Sequence, residues 1–173
     1  MIVTRDEFEK YSGVYTDENN TLPELYIQSA ENILFNYLGY DPTPQNYRHV
    51  FNGNGENYLR LGVKPIWLVA EVRIGNTAQD LGNITFDNDT IYLLNGTFPE
   101  GKGNITVDFS AGYNDIPAIM KMTVLRIATL LQSEGDSNIG ITSKSFEESG
   151  TRVFQNYTNY DKYLIQCSKY KLF

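Results

Sequence analysis

The hydrophobic period of this chain changes twice, and that change constrains the fold more than any other feature. Between Leu22 and Leu38 the apolar residues Leu22, Tyr26, Ala30, Ile33, Leu34, Tyr37 and Leu38 recur at three-to-four spacing, the signature of one helix face. Leu59, Leu61 and Val63, and then Ile66, Leu68, Ala70, Val72 and Ile74, alternate instead with polar or small residues, as half-buried strands do. The helical period returns with Ile116, Met120, Val124, Ile127 and Leu131, flanked by Ile119, Leu125, Ala128 and Leu130. Such a helix is apolar over more than half its circumference and belongs in the centre of a core. The pattern predicts an α+β fold: a small bundle of about four helices, with an antiparallel hairpin or sheet region inserted between the second and third main helices.

Punctuation agrees with these periods. Thr4-Arg5-Asp6-Glu7 reads as a capping box opening a short helix with Phe8 and Tyr11, closed by Gly13. A second box, Thr21-Leu22-Pro23-Glu24, places Pro23 in the first helical turn, where its missing N–H costs little, and Gly39 and Pro42 stop that helix. Asn52-Gly53-Asn54-Gly55, Asp87-Asn88-Asp89 and Asn95-Gly96 are turn sequences, and 99–104 reads as a flexible loop. Ile84 to Phe86, Thr90 to Leu94 and Ile105 to Phe109 are further short strands. Gly112 permits a tight turn, and Asp115 is placed to cap the helix that Pro117 opens. Tyr160, Tyr163, Leu164 and Cys167 mark a last short helix. No internal repeat or linker interrupts the chain, so 1–173 is expected to be one domain, with an exposed polar arm at about 139–156 and a C-terminal tail at about 168–173.

The 173 residues are enough for a real core, and the charged fraction of 20% is that of a globular protein. Aromatics reach 13%, with thirteen Tyr; the surplus fits either interface-forming surfaces or a compositional drift of the source genome. Charge is uneven. Up to residue 140 there are nine Lys/Arg against eighteen Asp/Glu, a balance of −9, and from 141 onward five against three, a balance of +2. An acidic body is a poor non-specific binder of nucleic acid, because that affinity comes from basic residues neutralising phosphates. Residues 1–10 carry no apolar run of signal-peptide length, no stretch has the roughly 18 apolar residues of a membrane span, and Cys167 is the single cysteine. The expectation is a protein made and kept in a cytosol, with no membrane partner and no intrachain disulfide.

The residues for catalysis are sparse. His49 is the only histidine and lies in a loop-like stretch without a nucleophile elbow, so it reads as a surface or packing residue. Cys167 reads as a buried, inert thiol. One His and one Cys do not supply a zinc site of the usual spacing. Asp87-Asn88-Asp89 lacks the glycine and the closing acid of a calcium loop, and Gly101-Lys102-Gly103 lacks the Walker spacing. Paired carboxylates stay open, since sequence spacing says nothing of spatial distance. No catalytic residue, cofactor or metal is expected.

One ordered set of phrases resembles a known family. It comprises the strand segment Leu61-Gly62-Val63-Lys64-Pro65-Ile66-Trp67-Leu68-Val69-Ala70-Glu71-Val72; the phrase Asn104-Ile105-Thr106-Val107-Asp108-Phe109-Ser110-Ala111-Gly112-Tyr113-Asn114-Asp115-Ile116-Pro117, running straight into the hydrophobic helix; the Ser-rich Gly140-Ile141-Thr142-Ser143-Lys144-Ser145-Phe146; and a short closing helix with a basic-aromatic end. In this order they resemble the head–tail connector (adaptor, or head-completion) proteins of tailed bacteriophages. The chain departs from that pattern in its longer middle, with extra loops at 51–57 and 76–83, and in Cys167 and Ser168 near its end.

The resemblance implies a non-enzymatic virion protein of the neck. Such proteins form a homo-oligomeric ring, usually a dodecamer, docked beneath the portal protein, extending the DNA channel and offering a platform to the next neck or tail component. DNA would pass without specific binding. By the same analogy the exposed arm, with Ser143, Lys144, Ser145, Phe146, Phe154 and Tyr157, and the central hairpins would meet neighbours or the channel, and the tail residues Lys169, Tyr170, Lys171, Leu172 and Phe173 would reach the portal. Two other readings stand beside it: a tail-completion or terminator subunit, and a small enzyme or carbohydrate-binding module using Trp67 and exposed Tyr as stacking surfaces.

Overall fold

The computed structural model describes residues 1–134, 143–146, 150–153 and 160–172. It is α+β, as the two changes of period require, and its contacts group the chain into two units: 1–38 with 117–171, and 39–116 with 172–173.

The first unit is helical. Helix α1 (Arg5–Ser12) carries the expected capping box: Thr4 Oγ1 accepts from the Glu7 N–H at 3.2 Å, and the Glu7 carboxylate accepts from the Thr4 N–H at 2.8 Å. Gly13 ends it with a φ of 73°, and its N–H donates to the Glu9 carbonyl. Helix α2 (Leu22–Leu38) buries Ile27, Ala30, Leu34 and Leu38, and helix α3 (Ala118–Ser133) buries Met120, Val124, Leu125, Ile127 and Ala128. α1, α2 and α3 pack pairwise on one another. A single turn α4 (Asp161–Leu164) runs into a 3-10 segment, Ile165–Tyr170, which places Leu164 and Cys167 in the same core.

Two polar devices in this unit have no apolar pattern to announce them. The Arg5 guanidinium reaches Glu9 at 2.9 Å and Glu24 at 3.1 Å, and it donates to the carbonyls of Thr16, Asp17 and Glu18. It therefore ties the α1–α2 connection to both helices. Glu24 turns to Arg5, while the Asn20 side chain accepts from the Leu22 N–H at the start of α2. The buried Glu31 on α2 accepts from the N–H groups of Ile2 and Val3, which secures the chain's first residues.

The second unit is the inserted β region. Its four-stranded antiparallel sheet has the order β1 (Gln45–Gly53), β7 (Gly101–Ala111), β3 (Ile66–Ile74), β4 (Thr77–Ala78). A smaller sheet joins β2 (Tyr58–Arg60), β6 (Thr90–Leu93) and β5 (Ile84–Phe86). On β7 the alternation sends Ile105, Val107 and Phe109 to the buried face, with Val69 and Val72 from β3. Two register breaks bend β3 against β7.

Three expectations are corrected here. The stretch holding His49 is strand β1, not a loop. Residues 101–104 open β7 and are no flexible loop, because the Asn104 side chain accepts from the Gly53 N–H and donates to the Pro99 carbonyl, holding the β1–β7 end shut. Asp115 does not cap α3: the N-cap is Pro117, whose carbonyl accepts from Met120, with no side-chain cap bond. The turn at Gly112 is as expected. Its φ is 106°, and a Cβ there would lie 2.2 Å from the Thr43 carbonyl oxygen, so no larger residue fits.

Candidate interface surfaces

The arm and the tail have different local settings. Within the arm, β8 (Ser143–Phe146) and β9 (Gly150–Val153) form an antiparallel pair, so a hairpin stands where the polar sequence reads as an arm or loop. Ser143, Lys144, Ser145 and Phe146 lie opposite Val153, Arg152, Thr151 and Gly150. Phe154, Tyr157 and Phe173 lie outside the described residues.

The tail is folded back on its own chain. Lys169 and Tyr170 belong to the 3-10 segment, with the Lys169 Nζ 4.8 Å from the Tyr170 ring centroid. The Lys171 Nζ sits 4.4 Å from the ring centroid of Tyr37 on α2. Leu172 comes close to Gly39, its Cβ 3.8 Å from where a Cβ on that glycine would stand. Tyr170, Lys171 and Leu172 are half-buried, so the basic-aromatic end is seated rather than projecting in this state. A lysine over an aromatic face is held by about 0.5–1 kcal/mol at an exposed site, a hold that a partner surface can outcompete.

A third surface lies in the central β region, where the resemblance placed only the central hairpins: the β1 edge and the outer face of the four-stranded sheet. Tyr47, His49 and Phe51 follow one another on one side of β1, and Tyr47 stacks on Phe109 of β7 with ring centroids 5.1 Å apart. The His49 ring stands edge-on to Phe109 at 5.7 Å. His49 is thus a packing residue in an aromatic row, and the period-two run Tyr47, His49, Phe51 was the signal available for the strand. Burial, and then the nearby Asp41 carboxylate, push the Tyr47 phenol above its ordinary range. On the opposite face, Asn46, Arg48, Leu68, Ala70, Asp108 and Ser110 line an open hollow of about 450 Å³. Arg48 Nε lies 3.5 Å from Asp108, Ser110 Oγ donates to Asn46 at 2.6 Å, and Leu68 and Val50 stay exposed beside them. A second hollow of about 360 Å³ lies between α1 and α3, lined by Val3, Glu7, Lys10, Tyr11, Lys121 and Leu125.

Among the described residues no three His, Cys, Asp or Glu side chains converge as a metal site, and no helix is long and apolar enough to cross a membrane. Cys167 is fully buried, 3.4 Å from Thr123 Oγ1; burial raises its pKa against a weaker opposing hydrogen bond from Thr123, so the thiol stays protonated at neutral pH.

The fold has close counterparts among solved structures. A chain in the virion of a native gene transfer agent (GTA) particle matches at a TM-score of 0.64 and 14% identity, covering 95% of this chain and 88% of that one. A chain in the neck of a native GTA particle, computed with C12 symmetry, matches at 0.62 and 13%, covering 96% and 86%. A chain in the neck of an empty GTA particle, computed with C6 symmetry, matches at 0.63 and 16%, covering 76% and 78%. At these identities the likeness is one of fold. Comparison with family models and with curated proteins gives no match.

Proposed function

We propose that this chain is a structural, non-enzymatic subunit of a particle neck: a head–tail connector that closes into a ring, docks beneath a portal and carries the channel toward the tail. The observation that carries this reading is the likeness over 95–96% of the chain to proteins whose structures are described as the virion and the neck of a GTA particle. Sixfold and twelvefold symmetry in those neck structures supports a cyclic arrangement here.

Ring closure needs a heterologous contact, one face of each subunit meeting a different face of the next. The two-unit architecture supplies unlike surfaces: hairpin and basic-aromatic tail in one part of the chain, sheet edge and outer sheet face in the other. In this reading the tail leaves its seat on Tyr37 and inserts its aromatic and lysine side chains into the portal, while the acidic body lets DNA slide past. Ring and portal arms answer separately in one experiment. The full chain and a variant truncated after Cys167 are mixed with the portal ring of the same particle and imaged by cryo-electron microscopy. Ring density on the portal, lost on truncation, is the expected result. Density surviving truncation would move the anchor from the tail to the hairpin or sheet. Binding to a tail tube in place of the portal would make the chain a tail-completion subunit.

A further inference from the structure

Among the described strands, β1 is a long edge of the four-stranded sheet. Its nine residues pair with β7 on one side and with no described strand on the other, whereas the opposite edge, β4, has two residues. Proteins blunt long edges with proline, bulges or repeated charge, because a row of unpaired N–H and C=O groups is a template for another strand. The register of β1 with β7 runs unbroken from Gln45 to Phe51, with a shift only toward Gly53. That run holds no proline and one formal charge, Arg48, and its Tyr47, Val50 and Phe51 are strong strand formers. Val50 is 64% exposed.

The described residues also include a two-stranded β element apart from both larger sheets. β8 and β9 pair with each other and with no other described strand. A lone two-stranded hairpin is marginal in water and gains stability from a third strand. Among the described residues one molecule therefore carries a sheet edge without a further strand and a strand pair without a larger sheet, in two different units of the chain. That is the unlike pair of patches a heterologous ring contact requires.

We propose that the β8–β9 hairpin of one copy adds to the β1 edge of the next copy, extending its four-stranded sheet to six and linking subunits through backbone hydrogen bonds. The inference rests on the ring reading above and specifies its contact. Backbone pairing tolerates sequence change in the partner strand, and side chains such as Val50 then set the fit.

Hydrogen–deuterium exchange of the full chain, as dilute monomer and as portal-bound ring, tests it directly. In the ring, alternate amides of β1 and amides of 143–146 and 150–153 should exchange about two- to tenfold more slowly than in the monomer, the change a single added hydrogen bond produces. The Val50→Lys variant, altered at an exposed position, should keep the monomer's circular dichroism and lose at least about tenfold in ring occupancy, since an edge lysine blocks strand addition. A ring whose two segments exchange as in the monomer overturns the pairing and leaves the ring reading standing. Protection of β1 alone overturns the hairpin as its occupant, and protection of both already in the monomer overturns the intermolecular contact. No ring, alone or on the portal, removes both readings.

Discussion

In the helical unit the apolar side chains of α1, α2 and α3 face one another, and even polar groups such as Glu31 and Arg5 are drawn into local partnerships. In the β unit, β7 buries one face of the main sheet while the outer face leaves Leu68, Val50 and the Arg48–Asp108 pair open. Helices close their backbone hydrogen bonds internally, so a bundle needs no further chain to satisfy it. A sheet that ends in a nine-residue edge does not have that closure. The difference separates described helices that close their own hydrogen bonds from a described sheet that ends in a long strand edge.

Two natural probes divide along the same line. Trp67, the only tryptophan, is 46% exposed on β3, and Cys167, the only cysteine, is buried among the helices. Phe109→Ala removes a buried ring stacked on Tyr47 and should cost about 3–5 kcal/mol, while Leu34→Ala in α2 should cost about 2–5 kcal/mol. We expect one domain to unfold as one. In urea, Trp67 fluorescence and Cys167 labelling by a thiol reagent should then share a midpoint, and each variant should move both. If Phe109→Ala shifts only the Trp67 transition and Leu34→Ala only the labelling, the two units are separate domains.

A smaller effect sharpens the comparison from within the β unit. Gly112 joins β7 toward α3, its N–H donating to the Pro65 carbonyl at 2.9 Å. Gly112→Ala should lose about 1–3 kcal/mol from backbone strain alone. The overlap with Thr43 should bring it to the upper end, because the opposing atoms are backbone and cannot swing away. A urea midpoint equal to that of the native chain would mean that this junction relaxes freely.

Legibility followed the same division. α2 and α3 were readable as helices because each buries a stripe long enough for the 3.6-residue period to stand out, although the α2 stripe buries Ile27 and leaves the expected Leu22 exposed, and the α1 box was readable because its two hydrogen bonds are local. β1 was hidden because an edge strand needs little apolar alternation: the row Tyr47, His49, Phe51 lies between Pro44 and the turn-rich Asn52-Gly53-Asn54-Gly55. The opening of β7 was hidden because its glycine-rich sequence is held by Asn104, fifty-one residues from the Gly53 amide it accepts. Arg5 gave no signal, since its partners Thr16, Asp17 and Glu18 contribute backbone carbonyls, which sequence does not mark. Tail and arm stood out in the sequence by composition alone, and the seat of Lys171 on Tyr37 is a tertiary fact.

The smallest predicted effect probes how self-contained the helical unit is at its first turn. Thr4→Ala removes the hydroxyl that accepts from the Glu7 N–H and should cost about 0.5–2 kcal/mol. Glu7 answers with its carboxylate. The hydrogen bond from the Thr4 backbone, and then Lys121 at 3.5 Å, hold its pKa below the ordinary 4.5, with partial burial opposing them. A carboxylate whose pKa falls on folding adds stability that is fully present above the unfolded value and is lost as pH drops through the folded one. Glu7→Gln should therefore lower stability at pH 7 by less than about 1 kcal/mol, as an exposed pair allows. The gap between native and variant urea midpoints should close as pH falls below 4.5. A gap that persists there would assign the loss to amide packing at the cap; no gap at pH 7 would mean that the Thr4 hydroxyl alone sets the start of α1.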